Sequence, residues 1–162
     1  MNDTVLFSAH FYNIRPVWVF WPIALFIFLL LISLIPGTPF SFGEMKKGFK
    51  IFCCIQCIFL FGHLYAFATE LLPYYFGEYT VVEGDVQNYV APANAYNKAE
   101  SFRVNGVLFE YNYNDITFGY HDTILDHGVI SEDVADIRIF YVHNPLNGNH
   151  SIMRIEQHTK PK

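Results

Sequence analysis

The polar residues best placed to do chemistry are Gln56, His63 and Glu70, which recur at intervals of seven within an apolar stretch. In an α-helix each step of seven residues returns to within about 20° of the same direction, so this spacing predicts one polar stripe. Polar groups in lipid normally face protein or water, because hydrocarbon cannot satisfy them. Two interpretations stay open: a proton or ion relay through His63, or hydrogen bonding between packed helices. We favour helix packing, since a relay needs proton acceptors at more than one depth.

A second group of titratable residues, His121, Asp122, Asp126 and His127, forms a weak candidate for a metal site. Imidazole and carboxylate groups bind divalent metals, but this spacing fits no established zinc or calcium motif. The sequence also has no G-x-S-x-G nucleophile motif, no H-E-x-x-H zinc motif and no glycine-rich phosphate loop. We therefore expect solvated loop residues at these positions, no catalytic residues, no cofactor, and binding rather than catalysis.

The composition indicates which environment positions these residues. The chain has 162 residues, of which 52% are hydrophobic, 19% aromatic and 15% charged, which is too apolar for one soluble domain. Part of it is therefore expected to lie in a lipid bilayer. The formal net charge of −5 gives no electrostatic case for nucleic acid as a partner.

Two apolar segments are predicted to be transmembrane helices. Residues 17–35 contain no charged side chain, and at about 1.5 Å per residue they cover roughly 28 Å of the ~30 Å hydrocarbon core. Residues 51–76, which include the polar stripe, form the second predicted span. Residues 1–16 are predicted to be a short N-terminal segment.

The loop between the predicted spans sets the orientation. Residues 36–50 contain Lys46, Lys47 and Lys50 against a single acidic residue, Glu44. Short loops rich in lysine and arginine stay in the cytoplasm. The sequence therefore predicts a cytoplasmic loop and two extracytoplasmic termini.

From Tyr79 onward the pattern changes to the two-residue period of β-strands. The clearest signal is Asn105-Gly106, a pair typical of the type I′ turn that joins two antiparallel strands. Gly84 is predicted to bend the strand that contains it. The predicted strands are Tyr79–Gln87, Ser101–Val104, Val107–Tyr111, Asp115–Tyr120, Ile137–His143 and Ser151–Gln157, with a surface loop at Asn88–Glu100.

Five or six short antiparallel strands within residues 79–158 favour a small extracytoplasmic barrel of the OB-like or SH3-like kind. The predicted fold class is thus two transmembrane helices followed by an all-β domain. A core of this size is small, so attachment to a membrane or a partner is expected to contribute to its stability.

Four short motifs carry a resemblance. They are V-E-G-x-V at Val82–Val86, E-S-F-x-V-x-G-V-x-F-x-Y at Glu100–Tyr111, H-G at His127–Gly128 and I-R-I-F-Y at Ile137–Tyr141. Together they resemble a group of uncharacterised bacterial membrane-anchored proteins that have two N-terminal spans and a small C-terminal β-domain. The resemblance implies a multi-pass protein of the bacterial inner membrane and implies no particular activity.

The sequence therefore predicts a membrane-anchored binding or adaptor protein that presents its β-domain to an envelope partner, through exposed strand edges and the loop at residues 88–100. The predicted partners are the lipid bilayer and either another protein or a second copy of the chain. Two alternatives stay open. One is a membrane-embedded, immunity-like or accessory subunit that acts through its spans; the other is a component of a larger complex that uses a His63/Glu70 relay or a metal.

Overall fold

The computed structural model describes residues 2–10, 24–25, 27–28, 31, 47–93, 99–112, 115, 117–145 and 148–159. The chain divides into two compact units. One is Tyr12–Tyr65, and the other combines Met1–Phe11 with Ala66–Lys162. The second unit, called the β-unit below, contains both ends of the chain.

Helix α1 runs over Lys47–Ala66 and accounts for most of what the structure describes in the first unit. Its residues are mainly Phe, Ile, Leu and Cys, with no proline to interrupt the backbone hydrogen bonds. Among the described residues, one helical stretch, Cys54–Tyr75, is long and apolar enough to cross a membrane by length and composition. Most of the first predicted span, residues 17–35, lies outside the described residues; those described within it, Ala24, Leu25, Ile27, Phe28 and Leu31, are helical.

Helix α1 continues directly into the β-unit. A π-helix, Phe67–Leu71, follows it, and the short helix α2, Leu72–Tyr75, ends the helical stretch. Ala66, Glu70 and Leu71 are buried. The predicted span 51–76 therefore has two parts, because its residues from Ala66 onward pack within the β-unit.

The described residues of the β-unit form seven strands in two antiparallel sheets. The four-stranded sheet has the order β1-β7-β6-β2, and the three-stranded sheet has the order β3-β4-β5. The strands are β1 Asn2–Ser8, β2 Thr80–Gly84, β3 Val86–Val90, β4 Glu100–Val104, β5 Val107–Tyr111, β6 Ile137–His143 and β7 His150–Thr159.

The two sheets share one hydrophobic core. In β4 every second residue is buried, as expected for a strand with one face against the core. The fully buried apolar side chains from the two sheets include Phe102, Val104, Phe109, Ile137, Ile139, Ile152 and Ile155. Burying each of these contributes about 1.5–3 kcal/mol, before the loss of chain entropy is counted.

Two local predictions are confirmed. Asn105 has φ 46° and Gly106 has φ 83°, so both central residues of the β4–β5 turn are left-handed, as a type I′ turn requires. Gly84 has φ 151° and is the last residue of β2, and one residue, Asp85, separates it from the start of β3. The chain thus passes from one sheet to the other at the predicted bend.

The first strand is the largest difference from the prediction. Residues 1–16 were expected to be only a short N-terminal segment, yet β1 pairs with β7 at the edge of the four-stranded sheet. A seven-residue strand of mixed polarity has little sequence signal of its own, since its stability comes from the partner strand.

Two further predictions need correction. The described residues of Asp115–Tyr120 form bends and no strand. The expected loop at residues 88–100 is shorter, since Asn88–Val90 belongs to β3 and Glu100 begins β4. The predicted antiparallel pairing is confirmed. The described strands form two separate sheets and do not form a single closed sheet.

Candidate functional site

The polar stripe predicted from the sequence is divided between the two units. Gln56 and His63 belong to residues 12–65, and Glu70 belongs to the β-unit. The Nδ1 of His63 donates a hydrogen bond to the carbonyl oxygen of Phe59 at 2.7 Å, a common way to satisfy a polar side chain within an apolar helix. The Oε1 of Gln56 is buried and has no hydrogen-bond partner among the described residues. A relay through the three residues stays a prediction.

Glu70 is almost completely buried, with 2% of its surface exposed. Its Oε2 accepts hydrogen bonds from the hydroxyl of Thr117 at 2.7 Å and the backbone N–H of Phe118 at 3.0 Å. Its Oε1 accepts from the hydroxyl of Ser151 at 2.9 Å and the side-chain amide of Asn144 at 3.3 Å. A carboxylate offers about four lone-pair positions, so these four donors satisfy it without a basic partner. We call this arrangement the Glu70 clamp.

The π-helix is the element that directs Glu70 to these donors. A π-helix winds more loosely than an α-helix, so residues after its start no longer follow the α-helical repeat that defined the predicted stripe. Phe67, the first residue of the π-helix, packs edge-on against Phe118 with ring centroids 5.9 Å apart. Leu71 at its end is fully buried. Within the β-unit, the π-helix is therefore held through one carboxylate and one aromatic contact beside it.

A second buried carboxyl group, Glu100, lies at the start of β4 and is fully buried. The hydroxyl of Tyr111 donates to its Oε1, and the backbone N–H of Ile124 donates to its Oε2 at 2.7 Å. Burial raises the pKa of Glu100, while the hydrogen bonds from Tyr111, Ile124 and Tyr89 act in the opposite direction. Burial, together with the nearby Glu100 charge, raises the pKa of Tyr89 to about 12.

The segment after Tyr120, called loop 121–130, is fixed by these buried groups. The hydroxyl of Tyr120 accepts a hydrogen bond from the backbone N–H of Val129 at 2.6 Å. At Gly128 a Cβ atom would lie 2.3 Å from the carbonyl oxygen of Asp122, so no side chain fits there. One short 3₁₀-helix, Ile124–Asp126, interrupts the otherwise irregular backbone. The loop is therefore held in one conformation although it contains no strand.

The four weak metal candidates lie in this loop, where His121 and Asp126 make separate contacts. His121 hydrogen-bonds through Nδ1 to a backbone carbonyl at 2.9 Å, and Asp126 accepts a bond from a threonine hydroxyl at 2.9 Å. His127 is exposed, with φ 67°, and Asp122 is half-buried. Within the part of the chain that the structure describes, no three His, Cys, Asp or Glu side chains come together as a metal-binding group.

An open groove of about 480 Å³ lies beside the Glu70 clamp. Thr69, next to Glu70, lines it together with Pro73, Tyr79 and His143. The ring of Tyr79 lies 5.4 Å from that of Phe140, its neighbour on the sheet. The groove thus combines aromatic surface with groups that form hydrogen bonds, the combination that recognition sites use.

His143, which lines this groove, belongs to a pair of histidines. His143 and His150 pair across β6 and β7, with ring centroids 5.4 Å apart. The ring of Tyr141 lies 4.7 Å from that of His150. Burial lowers the pKa of His150, and the proximity of His143 lowers it further. The wall next to the groove is therefore aromatic, with His150 favoured in its neutral form.

Comparison with known proteins adds no assignment: no protein-family model, no curated protein and no solved structure matches the chain. The resemblance to bacterial membrane-anchored proteins stays a prediction. The functional argument therefore depends on the geometry of the clamp, the groove and the loop.

Sequence reasoning grouped Glu70 with Gln56 and His63 and did not single out Glu100. The donors to Glu70 lie 47 to 81 residues later in the chain, so no local pattern reveals them. Glu100 could have been found, because in an alternating strand it shares the inward face with Phe102 and Val104. A charged residue on an inward face is a signal of a buried polar contact.

We expect Glu70→Ala to lower the free energy of unfolding of the β-unit by about 3 kcal/mol, because four buried or partly buried donors lose their acceptor. Glu70→Gln should lose about half as much, since one accepting oxygen becomes a donor. Denaturant unfolding of the full-length protein in detergent measures both. Glu78→Ala is the control, because Glu78 is exposed. Equal losses for Glu70→Ala and Glu78→Ala would contradict the clamp.

The raised pKa of Glu100 predicts that stability depends on pH. The folded state binds the carboxyl proton of Glu100 more tightly than the unfolded state does. The stabilisation that this proton gives to the folded state is therefore fully present below the ordinary glutamate pKa. It is lost as pH rises through the raised pKa of the folded state. Glu100→Gln should remove the part that Glu100 contributes to the pH dependence of stability. The measurement is the slope of the unfolding midpoint against pH across the acidic to neutral range. Glu110→Gln, at an exposed position on β5, should keep the wild-type slope, and a wild-type slope in Glu100→Gln would refute the assignment.

Proposed function

We propose that the chain is a membrane-anchored binding protein that presents the β-unit on the extracytoplasmic face of a bacterial inner membrane. The supporting observation is topological: β1 pairs with β7 through six register pairs, from Asn2↔Thr159 to Ser8↔Arg154. Because β1 and β7 share one sheet, the segment between them crosses a bilayer an even number of times. A crossing at α1 therefore requires a second crossing between β1 and α1, and the apolar residues 17–35 supply it.

The exposed surface of α1 agrees with this placement. Ile58 and Phe61 are each 71% exposed, and Ile51 and Leu64 are exposed as well. Large apolar side chains exposed along a helix are stable when lipid covers them. The uncharged part of the helix, residues 51–66, measures about 24 Å at about 1.5 Å per residue, which is most of the ~30 Å hydrocarbon core.

Orientation follows from the loop between the two apolar segments. Lys46 precedes α1, Lys47 and Lys50 lie in its first turn, and basic residues at this end of a span favour the cytoplasmic side. The β-unit is then extracytoplasmic. We further assign its two sheets to a small barrel-like fold of the OB-like or SH3-like kind, supported by the strand bend at Gly84 and by the shared core.

The groove beside the clamp is the proposed binding surface. It is bordered by β2, which pairs with β6 on one side and forms an edge of the four-stranded sheet among the described strands. An edge strand offers unpaired backbone groups to an extended segment of a partner. The exposed Val81 on β2, together with Tyr79 and His143, offers side-chain contacts to the same segment. The Glu70 clamp keeps the helical wall of the groove fixed against the sheet.

Site-specific photocrosslinking in living cells tests this proposal. A photoreactive amino acid is placed at His143 in the groove or, as the matched control, at exposed Glu110 on β5. We expect a discrete, light-dependent product of higher mass from position 143 and none from position 110.

Identical products at both positions, or none at either, would refute binding at the groove. Products obtained instead from probes at Gln56 and His63 would support the alternative in which the spans are the interacting part.

A further inference from the structure

Loop 121–130 presents exposed apolar side chains on a backbone that the structure holds in place. Leu125 is 52% exposed, and Ile124 and Val129 are also exposed. Ile124 and Leu125 lie on the single 3₁₀ turn, whose N–H at Ile124 is held by buried Glu100. These side chains do not contribute to the shared core, so their exposure indicates a surface that something apolar covers.

The first connection between the β-unit and residues 12–65 leaves close to this loop. After β1, the backbone N–H of Ala9 donates to the carbonyl oxygen of Met153 at 2.7 Å. The ring of Phe7 packs edge-on against that of Tyr120, with centroids 5.2 Å apart. Tyr120 immediately precedes loop 121–130, so the loop begins beside the end of β1.

The second connection leaves at Ala66, the residue before the π-helix. Phe67 packs against Phe118, two residues before Tyr120. The segment that leads into loop 121–130 therefore contacts both places where the chain leaves the β-unit. If both connections enter a bilayer, this end of the β-unit faces it.

We propose that loop 121–130 rests on the lipid surface, with Ile124 and Leu125 inserted at the boundary between headgroups and acyl chains. This inference rests on the membrane anchorage proposed above. Apolar side chains on a short amphipathic segment bind this boundary through the area they bury. The buried contacts to Glu100 and Tyr120 present the side chains in a fixed conformation, so little order has to be gained on contact.

The contact is apolar rather than electrostatic. Asp122 and Asp126 lie in the loop, Glu132 and Asp133 follow it, and the chain has a formal net charge of −5. Anionic lipids attract basic segments and disfavour acidic ones. The proposed partner is therefore the zwitterionic lipid surface, and no basic residue is needed for the contact.

Tryptophan fluorescence in vesicles tests the contact. In a Trp18→Phe/Trp21→Phe background, Leu125→Trp places the single tryptophan on the loop, and Leu108→Trp places it on β5, where Leu108 is 42% exposed. The full-length protein is reconstituted in phosphatidylcholine vesicles that contain lipid brominated near the top of the acyl chains. We expect Leu125→Trp to be quenched at least about twofold more than Leu108→Trp and to emit at shorter wavelength. Ile124→Trp serves as a second loop probe and should behave as Leu125→Trp does.

The same quenching measurement on the native protein distinguishes a failure of the proposed lipid contact from a failure of the proposed membrane anchorage. Its Trp18 and Trp21 lie at the start of the predicted span 17–35 and report whether that segment enters the bilayer. If they are quenched while both loop probes match Leu108→Trp, the anchorage stands and the lipid contact is overturned, which leaves the loop as a surface for a protein. If the native tryptophans are not quenched, the anchorage fails and the lipid contact fails with it.

Discussion

The pairing of β1 with β7 is the constraint on which the rest of the structure depends. Because the two ends of the chain share one sheet, residues 12–65 must leave the β-unit and return to it. Arg138 on β6 strengthens this arrangement, since it binds Asp3 on β1 at 3.4 Å and Glu83 on β2 at 2.5 Å. Each exposed ion pair contributes little free energy alone. Together they link both edge strands to one central side chain, and so they favour the observed register over a shifted one.

Two buried carboxyl groups then determine what the β-unit can present. Glu70 fixes the end of the helical stretch against the sheet, so the groove next to it has a rigid wall on each side. Glu100 fixes the start of loop 121–130, so its apolar side chains are held outward. In both cases hydrogen bonds to neutral groups hold the carboxyl group, and the loss of either would leave buried or partly buried donors unsatisfied. The proposed binding and lipid surfaces thus depend on polar contacts inside the unit.

How much could be predicted from the sequence depends on how far apart along the chain the interacting residues lie. The β4–β5 hairpin was predictable because a type I′ turn needs left-handed residues, and Asn105-Gly106 supplies them locally. Strand β1 was not predictable, since its partner lies at the other end of the chain. The role of Glu70 was hidden for two reasons: its donors are distant in sequence, and the π-helix interrupts the seven-residue repeat used to group it with His63. The groove depends on helix and strand residues brought together only by folding.

A disulfide between β1 and β7 tests the central claim most directly. After Cys53, Cys54 and Cys57 are replaced by alanine, Thr4→Cys is combined with Gln157→Cys, its register partner, or with His158→Cys, one residue out of register. Directly paired strand residues are close enough to form a disulfide, and it persists only in an oxidising compartment. The account predicts that the matched pair, and not the shifted pair, oxidises in living cells without added oxidant. Oxidation only after purification would contradict the extracytoplasmic placement, and no disulfide under either condition would contradict the pairing itself.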